Sequence, residues 1–107
     1  MDYFKTVYKL LHILEKNMDA EEFNIECISD EQLGVSRPAW CRIMKMIAEK
    51  GYVSGISIQY GLGSDYPNIK LIHPQLTLEG LEYLSENSTM KKEANLAKGI
   101  KEIIPGL

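Results

Sequence analysis

The apolar residues of the chain recur mostly at the three- to four-residue spacing of an α-helix. Over residues 2–17 this stripe consists of Phe4, Val7, Leu10, Leu11 and Leu14. The remaining positions are largely polar, so the pattern predicts a first helix with one buried side. Polar residues from Asn17 to Glu22 then indicate a loop.

A different pattern follows the loop. Phe23, Ile25 and Cys27 alternate with Asn24 and Glu26, as side chains do along a half-buried strand. We expect this strand to be the third of a small sheet, where it would cover an edge that a lone hairpin leaves exposed.

Two helix starts separated by a glycine occupy SDEQLGVSRPAWCRIMKMIAEKGYV, which begins at Ser29. The Ser29 hydroxyl is suited to cap a helix, and Gln32 is placed to complete a capping box. Gly34 then ends this short helix, because glycine adopts the left-handed conformation without steric cost. Ser36 caps a second helix, with Pro38 in its first turn. The segment is typical of a helix-turn-helix.

The second helix, predicted over residues 37–50, is amphipathic. Its apolar side consists of Trp40, Ile43, Met44 and Ile47. Its other side presents Pro38, Arg42, Lys45 and Glu49, with Ala39 and Met46 at the edge. A recognition helix needs such a side to enter the major groove beside phosphates. An ordinary surface helix satisfies the same pattern, so both interpretations stay open.

A hairpin is predicted after Gly51. The segment from Tyr52 to Tyr60 reads as a strand with one buried face, formed by Tyr52, Ile56, Ile58 and Tyr60. A loop rich in turn residues follows, and Ile69 to His73 reads as the returning strand, closed by Pro74. A hairpin directly after a recognition-like helix is a wing.

Two more helices are predicted toward the C-terminus. Thr77 caps the first, which carries Leu78, Leu81 and Leu84 on one side, while Gly80 suits close approach of another backbone. Asn87 and Ser88 interrupt the pattern. A last helix from Thr89 to Ile104 would pack on the first helix or on the same helix of a partner chain, forming a homodimer.

Length and composition predict a single domain over residues 1–107. The order of the elements, which is helix, short strand, helix-turn-helix, two-stranded wing and helix, predicts an α+β winged helix. Its parts are a helix-turn-helix (29–50), a wing hairpin (52–73) and C-terminal helices (77–104). The net charge is −3, but it is unevenly distributed. Residues 1–35 hold three Lys and eight acids (−5), residues 36–70 five Lys or Arg and two acids (+3), and residues 71–107 four Lys and five Glu (−1). The basic third contains the predicted recognition helix.

Several function classes lack a signature in the sequence. We find no apolar run of about 18 residues and no signal-peptide pattern, so we expect a cytoplasmic protein without a membrane segment. The cysteines, Cys27 and Cys41, and the histidines, His12 and His73, lack metal-ligand spacing. No nucleophile and base form a recognisable motif. We therefore expect no enzyme activity, no cofactor and no small-molecule ligand.

Two blocks of sequence resemble a known family. LGVSRPAWCRIMKMIAEKGYVSGI and HPQLTLEGLEYLSENSTMKKEANLAKGIKEI are similar to the YjcQ-like winged-helix proteins of Gram-positive bacteria and their prophages. The resemblance covers roughly residues 1–104. It implies a winged-helix fold and a phage or prophage origin, and DNA binding follows only by analogy of fold.

The resulting hypothesis is a transcription regulator that binds double-stranded DNA. Arg42 and Lys45 would reach base edges or phosphates, with Ser36 and Arg37 at the backbone and Ala39 at the helix edge. The wing would add Gln59, Asn68 and Lys70. The alternative is a protein-interaction module that does not bind DNA and uses the acidic first third or the last helix.

Overall fold

The computed structural model describes residues 2–61, 63 and 66–87. The elements, in chain order, are α1 (Tyr3–Lys16), a 3₁₀ helix (Ile25–Ile28), α2 (Asp30–Leu33), α3 (Arg37–Glu49), β1 (Val53–Gln59), β2 (Asn68–Leu76) and α4 (Leu78–Glu86). The two strands form an antiparallel sheet. The architecture is α+β and consistent with a winged helix-turn-helix, as predicted. The last predicted helix, at residues 89–104, lies outside the described residues.

The core lies between α1 and α3 and extends to the 3₁₀ helix. Its most completely buried side chains are Leu10, Leu11, Ile28, Cys41, Ile43, Met44 and Ile47. The predicted stripes of α1 and α3 are therefore confirmed for most positions. Phe4 is the exception in α1, because 65% of its surface is exposed. In α4, Leu78 is likewise exposed, whereas Leu84 is buried.

The predicted strand at residues 23–27 is wrong. Ile25–Ile28 form a 3₁₀ helix, and its start is fixed by the Asn24 side chain, which accepts a hydrogen bond from the Glu26 N–H at 3.0 Å. Asn side chains offer the backbone such a local partner in competition with a sheet ladder. Ile25 and Cys27 are exposed, whereas Ile28 is buried. The sheet formed by the described residues therefore has two strands and not the expected three.

The hairpin is longer than predicted and irregular. β2 continues through Pro74 to Leu76, which pairs with Val53. Between the pairs Ile56–Leu71 and Ser54–Gln75, β1 contributes one residue and β2 three. Such a bulge accommodates Pro74, because residues inside it need no ladder hydrogen bond. Before the bulge the alternation is shifted, so that Val53 is buried. Tyr60, predicted to face the core, lies one residue beyond the end of β1 and is exposed.

Backbone contacts close the base of the hairpin against α4. The Thr77 N–H donates to the Tyr52 carbonyl at 3.0 Å, and the Thr77 hydroxyl bonds the Gly51 carbonyl. A Cβ atom at Gly80 would clash with the Tyr52 carbonyl. The expectation that Gly80 permits close approach of another backbone is thus confirmed.

Candidate nucleic-acid interface

Local capping residues define the α2–turn–α3 unit. The Ser29 hydroxyl accepts from the Gln32 N–H at 3.2 Å, and the Ser36 hydroxyl accepts from the Ala39 N–H at 3.3 Å. Gly34 between them has a φ of 70°. These features are as predicted, except for the second half of the capping box. The Ser29 N–H, which Gln32 would bond there, donates to the Glu26 carbonyl at 3.1 Å.

Trp40 fixes the orientation of α3. Its side chain is buried, and the indole Nε1–H donates to the Ile28 carbonyl at 2.8 Å. The Arg37 guanidinium lies over the same ring, 4.3 Å from its centroid, and its Nη1 is 3.7 Å from Asp30 Oδ1. Arg37 thereby connects α3 to α2 while about half of its side chain stays exposed. The contacts hold the N-terminal end of α3 in one position.

Arg42 lies on the exposed side of α3 and contacts α1. Its Nη1 donates to the Tyr3 hydroxyl at 2.7 Å. A guanidinium has five N–H donors, so this bond leaves most of them available to another acceptor. Sequence reasoning placed Arg42 correctly on the exposed side, but the partner is 39 residues away in the chain and had no sequence signal.

Lys45 connects α3 to the end of β1. Its Nζ lies 5.4 Å from the centroid of the Tyr60 ring, within cation–π range. Its interaction with the Tyr60 side chain, and after that the charge of Glu49, raise the pKa of Lys45. Lys45 is therefore cationic at neutral pH. Sequence reasoning missed Tyr60 as part of this surface because the alternation assigned it to the core.

The hairpin has one polar and one apolar face. Gln59 pairs with Asn68, and Lys70 is two residues further along β2, opposite Ser57. Directly paired residues and those two apart project to the same side. The predicted wing residues Gln59, Asn68 and Lys70 thus share an exposed face. The other face carries the apolar pairs Ile58–Ile69 and Ile56–Leu71.

The remaining predicted residues lie at the start of α3. Ser36 is exposed, whereas Ala39 is buried with 8% of its surface accessible. Ala39 therefore has little surface with which to contact DNA. The structure groups Ser36 and Arg37 at the first turn of α3, and it places Arg42 and Lys45 along its exposed side.

The described residues contain neither a membrane-spanning helix nor a cluster of metal ligands. No helix among residues 2–61, 63 and 66–87 is long and apolar enough to cross a bilayer. Within the same residues, no three His, Cys, Asp or Glu side chains come together as metal ligands. Cys41 is buried, and burial raises the pKa of its thiol.

Comparisons with known proteins agree with the resemblance read from the sequence. The model of the YjcQ protein family matches residues 8–103. The chain is also similar to the uncharacterised protein YjcQ of Bacillus subtilis (strain 168), with 29% identity over 77 residues that cover 72% of this chain and 78% of that protein. No solved structure matches the chain significantly. The chain therefore belongs to the YjcQ protein family.

Proposed function

We propose that the protein binds double-stranded DNA as a transcription regulator of phage or prophage origin, with α3 in the major groove and the hairpin against the backbone. One observation carries the proposal. Arg37, Arg42 and Lys45 occupy the accessible side of a helix whose opposite side is locked into the core by Trp40. An α-helix is about 10–12 Å wide with its side chains, and the major groove is about 12 Å wide.

Charge distribution supports this orientation. Residues 36–70 carry +3, although the whole chain carries −3. Exposed cations attract the phosphate backbone and release its counterions, a contribution that does not depend on base sequence. Lys70 on the polar face of the hairpin, with Gln59 and Asn68 beside it, adds phosphate contacts next to those of α3.

Arg42 is the best candidate for a base contact. Arginine bonds guanine O6 and N7 with two parallel N–H groups. The Tyr3 hydroxyl holds one side of the Arg42 guanidinium, which restricts its rotamers before DNA arrives. Preorganisation of this kind lowers the entropic cost of binding.

The test is a titration of fluorescently labelled mixed-sequence duplex DNA by anisotropy, at several salt concentrations. We expect the logarithm of the affinity to fall linearly with the logarithm of salt concentration, with a slope of about −0.9 per phosphate neutralised. Absence of binding at about 50 mM salt and micromolar protein would contradict the proposal, because non-specific affinity is strongest at low salt.

The second candidate function is a protein-interaction module for a basic partner. Its support is a series of exposed carboxylates from the end of α1 to α2, at Glu15, Asp19, Glu21, Glu22, Glu26 and Glu31. A pull-down that recovers a basic protein, together with a negative DNA titration, would favour this function. Charge reversal at Glu21 and Glu22 should then release that protein.

A further inference from the structure

An apolar groove, here called the α1–α3 groove, lies outside the proposed DNA-contacting residues except at Arg42. It runs between the first turns of α1 and the C-terminal half of α3 and has a volume of about 710 Å³. Its apolar lining consists of Phe4, Val7, Met46, Ile47, Tyr52 and Tyr83. Phe4 is 65% and Met46 38% exposed. Exposed large apolar side chains that cluster in this way mark an interaction site.

One polar atom at the groove wall is buried without a partner in the described part of the chain. The Tyr83 hydroxyl is buried, yet it has no hydrogen-bond partner among the described residues. Burial is the main cause that raises the pKa of Tyr83, followed by the charges of Tyr52 and Asp2. Buried hydroxyls in native proteins almost always have a partner. Tyr83 is an exception at this wall, and the covering segment is inferred from the exposed apolar residues.

The end of α4 lies next to the groove. Asn87 is one helical turn beyond Tyr83, and its backbone N–H and Nδ2 donate to the Tyr83 carbonyl at 3.0 and 2.9 Å. Asn87 is the last described residue, and residues 88–107 follow it in the chain. Their sequence has an apolar stripe at helical spacing, made of Leu96, Ala97, Ile100, Ile103 and Ile104. Lys91, Asn95, Lys98 and Glu102 fall on the opposite side of the same helical projection.

We propose that residues 89–104 of the same chain dock their apolar stripe into the α1–α3 groove. A helix of this length would extend about 24 Å, enough to follow α1 or α3 for most of their length. A short connection keeps the stripe at a millimolar effective concentration relative to the groove. This favours the chain's own segment over that of a second copy. The proposal concerns the fold of the protein, and its test does not require DNA binding.

A small molecule fits the groove less well. Ligand pockets bury about 70–90% of their ligand, whereas Phe4 is two-thirds exposed along the open side of the groove. An elongated apolar segment covers such a surface, and a compact ligand does not.

The test measures the reactivity of thiols introduced into the full-length protein. In a Cys27→Ser background, which leaves only the buried native Cys41, Met46→Cys reports on the groove. Ile72→Cys, on an exposed position of β2 outside the groove, is the control. Each is combined with Ile100→Asp and Ile103→Asp, or with the matched pair Asn95→Asp and Lys98→Gln. Both pairs lower the net charge by two.

We expect the thiol from Met46→Cys to react slowly with a maleimide in the parent and in the Asn95/Lys98 pair, because labelling there requires local opening of the docked segment. In the Ile100/Ile103 pair it should react about tenfold faster. The thiol from Ile72→Cys should react at one rate throughout. Equal reactivity of Met46→Cys in all three backgrounds would overturn the proposal. If the thiol from Met46→Cys stayed protected in the Ile100/Ile103 pair, another molecule would cover the groove and the proposal would be wrong. Protection that disappears on dilution together with a dimer in sedimentation would assign the cover to a second copy.

Discussion

The two regions that we propose contact DNA, α3 and the hairpin, are held in place by different kinds of interaction. Side chains hold α3: Trp40 bonds the Ile28 carbonyl, and Ser36 caps the first turn. Backbone geometry holds the hairpin. Gly55 and His73 face each other across the bulge with φ angles of 80° and 57°, both in the left-handed region.

This difference determines how each region responds to substitution. A helix held by several side-chain contacts loses roughly 1–2 kcal/mol with each contact removed and keeps its path. A bulge held by two left-handed residues tolerates no Cβ atom at the point of close approach. We therefore expect the hairpin to be the more sensitive region to small changes and α3 to respond gradually.

Gly55→Ala should have the largest effect. A Cβ atom there would lie against the backbone carbonyls of His73 and Ile72, and alanine disfavours a φ of 80°. We expect a loss of about 3 kcal/mol in the free energy of unfolding, measured by urea denaturation with the fluorescence of the single tryptophan, Trp40.

Gly34→Ala is the matched control within the helix-turn-helix. Gly34 is also left-handed, with a φ of 70°, but no atom lies within 4 Å of a Cβ placed there. We expect only the conformational cost of about 1 kcal/mol. Equal losses in the two variants would contradict the claim that the hairpin depends on close backbone approach.

Trp40→Phe should have the next largest effect. The change removes the hydrogen bond to the Ile28 carbonyl and part of a buried ring. We expect a loss of about 2 kcal/mol, followed by circular dichroism because the fluorophore is absent. A loss no larger than that of an exposed control such as Ile72→Ala would show that Trp40 does not anchor α3.

Ser36→Ala should cost about 1 kcal/mol, since it leaves the Ala39 N–H without its capping partner. Ser36→Asp should restore most of the loss, because a carboxylate caps equally well and favours the helix N-terminus. Thermal denaturation of the three proteins checks this. If the Asp variant were as unstable as the Ala variant, the hydroxyl would act through something other than capping.

The comparison also explains which parts of the fold the sequence predicted. Ser29, Gly34 and Ser36 form capping contacts with residues close to them in the chain. The ends of α2 and the start of α3 could therefore be predicted from the sequence. The wrong strand at residues 23–27 was another local effect, because the Asn24 cap competed with an alternation only five residues long. A short alternation is weak evidence beside a strong turn former.

Contacts between distant residues could not be predicted. The bulge depends on three β2 residues opposite Gly55, and no pattern within either strand indicates it. The same holds for the candidate site. The sequence identified the cations of α3 and the hairpin, but Arg42–Tyr3 and Lys45–Tyr60 join residues 39 and 15 positions apart. These partners appear only when the chain is folded.

Lys70→Ala should have the smallest effect, and it tests whether the hairpin contacts phosphates. Lys70 lies on the polar face of the hairpin, where we propose a phosphate contact. We expect the salt slope of DNA binding to become shallower by about 0.9, with a similar loss of affinity on all sequences. A loss confined to one DNA sequence would instead indicate base contact by the hairpin.

The most direct test of the central claim compares two double variants in the anisotropy titration. Arg42→Ala with Lys45→Ala removes two cations from α3, and Lys9→Ala with Lys16→Ala removes two exposed cations from α1. We predict that the first pair makes the salt slope shallower by about 1.8 and weakens binding, while the second pair leaves both near those of the parent protein. Equal effects of the two pairs, or unchanged binding after loss of Arg42 and Lys45, would contradict the placement of α3 on DNA.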